Sequence, residues 1–230
     1  MKNQYFGDNR DLFKYDLVYH TLINTKIKHF VFIPMLTKSD DKFGKETNRN
    51  KAKAGINNYE LRNYLDNCVV SNSRDIRNID RFFSAKGIET KINYNCFTKG
   101  NRNDYFNGID KKTLGKSVIL VDPDNGLEVK KPSEKHVLWK ELSCLYDRMS
   151  NDSILMVFQF FPYFLKETHC EYLRRRASEI SEYVSKKYPL SVDDNQIAFF
   201  LITKDEIHNE CLSNIVKGYS NEYKLRSMRY

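Results

Sequence analysis

The chain has 230 residues and a mass of 27.3 kDa, enough for one large domain or one domain carrying a small insertion. With 40% hydrophobic and 13% aromatic residues against 9 glycines and 5 prolines, it can bury a core, which excludes a disordered or fibrous protein. Its net charge of +8 is lopsided: residues 1–115 carry 21 lysines and arginines against 13 aspartates and glutamates, whereas residues 116–230 carry 17 of each.

No apolar run approaches the ~18 residues of a membrane helix, and the polar start "MKNQYFGDNRD" has no apolar signal segment. The expectation is a soluble, cytoplasmic protein with no membrane partner. The five cysteines are scattered without a CxxC pair, which argues for reduced thiols rather than a disulfide framework or a zinc site. The basic excess concentrates in "KSDDKFGKETNRNKAKAG" (38–55), which a polyanion would explain and a solvated lysine-rich surface would explain as well.

In chain order, Leu12, Tyr15, Val18, Tyr19 and Leu22 fall on one face and predict a helix over 11–24, capped by Asn9 or Asp11. "HFVFIPML" (29–36) predicts a buried strand stopped near Pro34, and 38–55 a long polar loop. Residues 58–68 and 73–87 read as two helices, the second capped by Ser73 and closed at Gly87, and 89–97 as a strand. A loop with a short helix leads to 117–121, whose continuous apolar character fits a central parallel strand. Leu138, Leu142, Leu145 and Met149 mark the next helix, 153–161 the most apolar strand, and 166–188 a long helix with a Leu173, Ala177, Ile180 and Val184 stripe. A strand over 196–204, a helix over 205–217 and a polar tail complete the chain. Alternation of this kind predicts an α/β fold with a mostly parallel sheet, a single domain over 1–230 with a basic loop and helical insertion at about 38–87.

The stretch "VDPDNGLE" (121–128) leaves the central strand. Pro123 cannot continue a ladder and Gly126 permits positive φ, so a sharp turn projects Asp122, Asp124 and Glu128 from a strand end, where open α/β sheets bind ligands. Simple turns do not require two carboxylates and a third close behind. His20 and His29 border apolar elements and read as structural. The three arginines of "LRRRASE" (173–179) read as a solvated helix face, and "QFFPYF" (159–164) as the far wall of the crevice.

"NQYFGDNRDLFKYDL" (3–17) together with "LVDPDNGLE" (120–128) resembles an uncharacterised bacterial family with a GDxxDxxKY start and a DPDNGLE core. More distantly the layout is similar to the J-type bacterial 23S ribosomal RNA adenine-N6 methyltransferases. That resemblance implies a Rossmann-like fold of the S-adenosylmethionine-dependent methyltransferase type. It implies that Gly7, Asp8, Asp11 and Lys14 line the methyl-donor pocket and that Asp122 and Pro123 match the first positions of a catalytic Asp-Pro-Pro-Tyr. In that chemistry a carboxylate and a backbone carbonyl hold the protons of an exocyclic amine, aiming its lone pair at the methyl group, while an aromatic ring stacks on the extruded base. Here Asp124 replaces the second proline, Asn125 stands in place of the aromatic residue, and the first strand lacks a Gly-rich turn. Tyr5, Phe6 and Phe160 are other sources of stacking.

Three readings follow. The first is a methyltransferase-like protein acting on nucleic acid or a nucleotide, with Asp122, Pro123, Asp124, Asn125 and Glu128 at the reacting centre. The second is a non-catalytic module binding a nucleotide or partner on the same fold. The third is a Mg²⁺-dependent nuclease or phosphodiesterase that uses Asp122, Asp124 and Glu128 as hard oxygen ligands, with His136 or His169 moving protons. The sequence leaves substrate and oligomeric state open.

Overall fold

The computed structural model describes residues 1–39 and 47–230, so residues 40–46 of the expected basic loop lie outside the described residues. The N-terminal segment leads into α1 (Asn9–Thr25), followed by β1 (His29–Ile33), α2 (Tyr59–Val70), α3 (Ile79–Ser84) and β2 (Glu89–Ile92). Next come α4 (Arg102–Asn107), β3 (Ser117–Val121), the two-residue strands β4 (Gly126–Leu127) and β5 (His136–Val137), and α5 (Trp139–Arg148). The chain continues through β6 (Ile154–Phe160), α6 (His169–Ile180), β7 (Leu190–Asp193), β8 (Ile197–Ile202), α7 (Glu206–Tyr223) and β9 (Arg226–Arg229).

Seven strands form one sheet in the order β2-β1-β3-β6-β8-β7-β9, and β4 pairs with β5 in a separate ladder. The four strands from β2 to β6 run parallel, as the continuous apolar runs predict. All five residues of β3 are buried, and His29–Ile33 lies in register against Ser117–Val121. Beyond β6 the pairing turns antiparallel: β8 sits between β6 and β7, and β9 adds to the edge of β7. The α/β expectation therefore holds, with a correction to the sheet.

Strand alternation sends side chains to two cores. Phe30, Phe32, Val118, Leu120, Met156 and Phe158 face one, against α1, α2, α3 and α7. Val31, Ile33, Ile119, Val121, Leu155 and Val157 face the other, against α4, α5 and α6. Each fully buried side chain of this size contributes about 1.5–3 kcal/mol relative to exposure.

Four strands escape the sequence reading: the two-residue β4 and β5, and β7 and β9. In β7, Leu190 and Val192 are buried, but the strand is only four residues long and ends in a polar corner. There Asn195 adopts φ 73°, and the Asp194 carboxylate accepts from the amides of Gln196 and Ile197, closing a hairpin into β8. β9 lies in the expected polar tail, where Arg226 holds Asp193 across the edge. The second predicted helix also begins later: a 3₁₀ turn (Ile76–Asn78) capped by Asp75, not Ser73, precedes α3. No helix among the described residues is long and apolar enough to cross a membrane.

Candidate functional site

A crevice of about 670 Å³ opens where the ends of β3 and β6 meet the start of α1. It collects Asp8, Asp11 and Lys14 from the N-terminal motif and Asp122, Pro123, Asp124 and Asn125 from the acidic corner. Two stretches about a hundred residues apart thus form one wall-to-wall site, at the C-terminal ends of parallel strands as open α/β sheets require.

The N-terminal side is built by helix capping. Asp8, rather than Asn9 or Asp11, is the N-cap of α1, and its carboxylate accepts from the amides of Arg10 (2.8 Å) and Asp11 (2.9 Å). Gly7 precedes it at φ 88°, and a Cβ there would stand 2.9 Å from Val69 Cγ2 and 3.2 Å from the Leu65 carbonyl of α2. Gly7 therefore shapes the turn and packs it on α2 rather than lining the crevice. Its amide donates to Asp11 Oδ2 at 2.9 Å. Arg49 fastens the same turn, donating to the Gly7 carbonyl at 2.8 Å and to Asn9 and Asp66. One cation of the basic stretch is thus part of the scaffold.

Lys14 lies at the centre, 3% exposed, with Nζ 2.6 Å from Asp11 Oδ1 and 2.6 Å from Asp122 Oδ2. Burial pulls the ammonium down, but the two carboxylates outweigh it and hold Lys14 above the ordinary lysine range. Burial raises the Asp122 carboxyl against the opposing pull of Lys14 and the Met1 ammonium. Burial and the neighbouring Asp11 carboxylate push Asp8 up to about 6, against its own bond from the Asp11 amide. Counting Asp124, four carboxylates meet two cations here, Lys14 bridging Asp11 and Asp122 and the Met1 ammonium holding Asp124, so the floor is acidic.

The corner itself is clamped from three sides. The Asp122 amide donates to the Ile33 carbonyl at 2.9 Å, continuing the β1–β3 pairing by one residue. The Asn125 amide donates to the Lys135 carbonyl (2.9 Å), and the Asn125 carbonyl accepts from Gln159 Nε2 (3.1 Å) and the Phe160 amide (3.3 Å). Gln159 Oε1 accepts from the Leu127 amide at 3.0 Å, and Nε2 also reaches Tyr172 Oη at 2.9 Å. Gln159 is thus a buried clamp rather than the expected wall; Phe158 and Tyr163 line the crevice on that side. Asp124 pairs with the Met1 ammonium at 2.6 Å, and the Met1 thioether lies 3.8 Å from Lys14 Nζ.

Glu128 departs from the expected site. Its Oε2 accepts from the Trp139 amide at 2.7 Å, serving the N-terminus of α5, and its carbonyl accepts from Arg176 at 2.8 Å. Asp122, Asp124 and Glu128 do not converge, and among the described residues no group of three His, Cys, Asp or Glu side chains is placed to hold a metal. Of the three arginines at 174–176, Arg176 is buried against Trp139 and Arg175 pairs with Glu167 and Glu179. Among the stacking candidates, Phe6 is fully buried in the core, whereas Tyr5 lines the crevice and Phe160 lies beneath the Arg10 guanidinium, 4.8 Å from its ring centre.

The mouth has the opposite sign from the floor. Arg10, Lys51 and Lys135 are exposed there, beside Tyr163. Tyr163 belongs to the expected far wall (159–164) and Lys51 to the basic stretch (38–55), whereas Lys135 carries no motif and only the fold places it at the mouth. Compared with known proteins, the chain matches no family model, no curated protein and no solved structure.

Proposed function

We propose that the crevice takes an amine-bearing base of a nucleic acid or nucleotide, in a methyltransferase-like protein whose methyl donor is S-adenosylmethionine. One observation carries the reading: an acidic floor lies beneath a basic mouth. A nucleotide has this polarity, with exocyclic N–H donors at one end and phosphates at the other. A carboxylate floor accepts from the amine, and exposed cations meet the phosphates.

Lys14 holds one oxygen of Asp122 and fixes the carboxylate in place; its other oxygen is the acceptor offered to the amine, with the Pro123 carbonyl as the second. The donor chemistry fits the acidic floor. Asp124, at the crevice, would receive the ammonium of the methionyl part of S-adenosylmethionine in exchange for the Met1 ammonium that it holds. When bound, that donor supplies an activated methyl group.

Isothermal calorimetry with S-adenosylmethionine and S-adenosylhomocysteine tests the reading. Heat of binding that weakens at least tenfold in Asp124→Asn is expected. No heat at millimolar ligand transfers the crevice to a second reading, a nucleotide-binding module without chemistry. That alternative has its own support: Asn125, exposed at the crevice, stands where a stacking aromatic would be needed for catalysis. The phosphodiesterase reading loses its third carboxylate to α5 and is not carried further.

A further inference from the structure

The segment after β6 has an unusual surface. Pro162 stops the strand, and Phe161 turns inward and stacks on His169 with ring centres 4.3 Å apart. The next two aromatics turn outward: Tyr163 is 87% and Phe164 95% exposed. Leaving two adjacent aromatic rings in water forgoes the burial that such residues ordinarily supply, which points to a ligand.

Tyr163 is not isolated. Its ring lies 5.5 Å from that of Phe160 at 62°, and the Arg10 guanidinium lies 4.8 Å from the Phe160 ring centre. Arg10 and Tyr163, which both line the crevice, thus share Phe160 as a packing partner. Lys51 and Lys135 are exposed around the same opening, while Asp11 and Asp122 are buried below it and Asp8 and Asp124 half-buried. Rings among cations are the two elements by which proteins hold single-stranded nucleic acid: bases stack on the rings, and the backbone follows the positive charge. A duplex offers phosphates but hides its base faces, so these rings favour an unpaired strand. An apolar protein partner would match the rings but not the cations around them.

We propose that this mouth binds an unpaired stretch of single-stranded nucleic acid, its bases stacking on Tyr163 and Phe164 and its phosphates meeting Arg10, Lys51 and Lys135. The platform presents one base to the floor at Asp122; this rests on the reading of the crevice as a base site.

Fluorescence anisotropy with a labelled, mixed-sequence single-stranded oligonucleotide, as RNA and as DNA, tests it against the same sequence as duplex. The single strand is expected to bind more tightly than the duplex. Tyr163→Ala and Phe164→Ala are each expected to weaken it by about 5- to 150-fold, the worth of one base–aromatic stack. Both side chains are exposed, so the melting temperature is expected to stay at the wild-type value. Equal affinity for duplex and single strand, or binding unchanged in both variants, would overturn the proposal. So would an absence of binding together with self-association that disappears in the Tyr163→Ser/Phe164→Ser variant, which would make the patch a protein contact. Calorimetry with S-adenosylmethionine on Tyr163→Ala separates the two readings. Oligonucleotide binding lost with donor heat retained isolates the platform. Tyr163-dependent oligonucleotide binding without donor heat counts against methyl transfer and leaves the platform standing.

Discussion

Lys14 bridges Asp11 in its own helix to Asp122, 108 residues away, and is almost wholly removed from water. Removing one partner of a buried charge cluster leaves the others uncompensated, so Lys14→Met is expected to destabilise the protein by about 3–5 kcal/mol. Urea unfolding reads this as a lower midpoint. Adding Asp122→Asn to Lys14→Met removes one stranded charge and is expected to recover part of the loss. An unchanged midpoint in Lys14→Met would mean that the cluster does not hold the corner to α1. The residues of this cluster were legible beforehand through the N-terminal and DPDNGLE motifs, as were Asp8 and Asp124. Their mutual pairing was not, because spacing within either motif carries no information about what the other stretch brings to it.

At the level of elements, the acidic corner depends on the strand beside it. Gly126 adopts φ 110°, and a Cβ there would fall 2.6 Å from the Gln159 side chain, whose amide and carbonyl satisfy Asn125, Leu127 and Tyr172. Gly126→Ala meets both a strained backbone and a clash, an expected destabilisation of about 1–3 kcal/mol. Gln159→Ala alone also destabilises, since it leaves the Leu127 amide without its acceptor. The two changes are expected to be non-additive, because removing Gln159 relieves the clash but not the strain. Chemical denaturation of both single variants and the double variant checks this, and simple additivity would contradict the close approach. The glycine of the motif was readable as a turn residue; its closeness to Gln159 was not, since the two lie on different strands. Short elements were the least legible. β4, β5, β7 and β9 are two to four residues long, too short for periodicity to distinguish from loops.

Over the whole molecule, the fold gathers cations from both halves of the chain. Arg10 and Lys51 come from the N-terminal half and Lys135 from the other, and they meet at one opening. If these three cations bind phosphates, the logarithm of oligonucleotide affinity is expected to fall with the logarithm of salt concentration with a slope of about −2, at ~0.7 per contact on a single strand. Lys135→Ala is expected to flatten that slope by about 0.7 while leaving the preference for single strand over duplex in place. A salt titration followed by anisotropy measures both, and a slope indifferent to Lys135 would remove that residue from the interface. The sequence by itself determined the α/β class, the buried central strand and the residues of the acidic corner, because these follow from local hydrophobic pattern and turn chemistry. Only the tertiary structure decided that Glu128 serves α5, that Gln159 is a clamp, and that Arg10, Phe160 and Tyr163 stand together. Those roles depend on approach between stretches far apart in the chain, which pairing in the sheet enforces and no local pattern encodes.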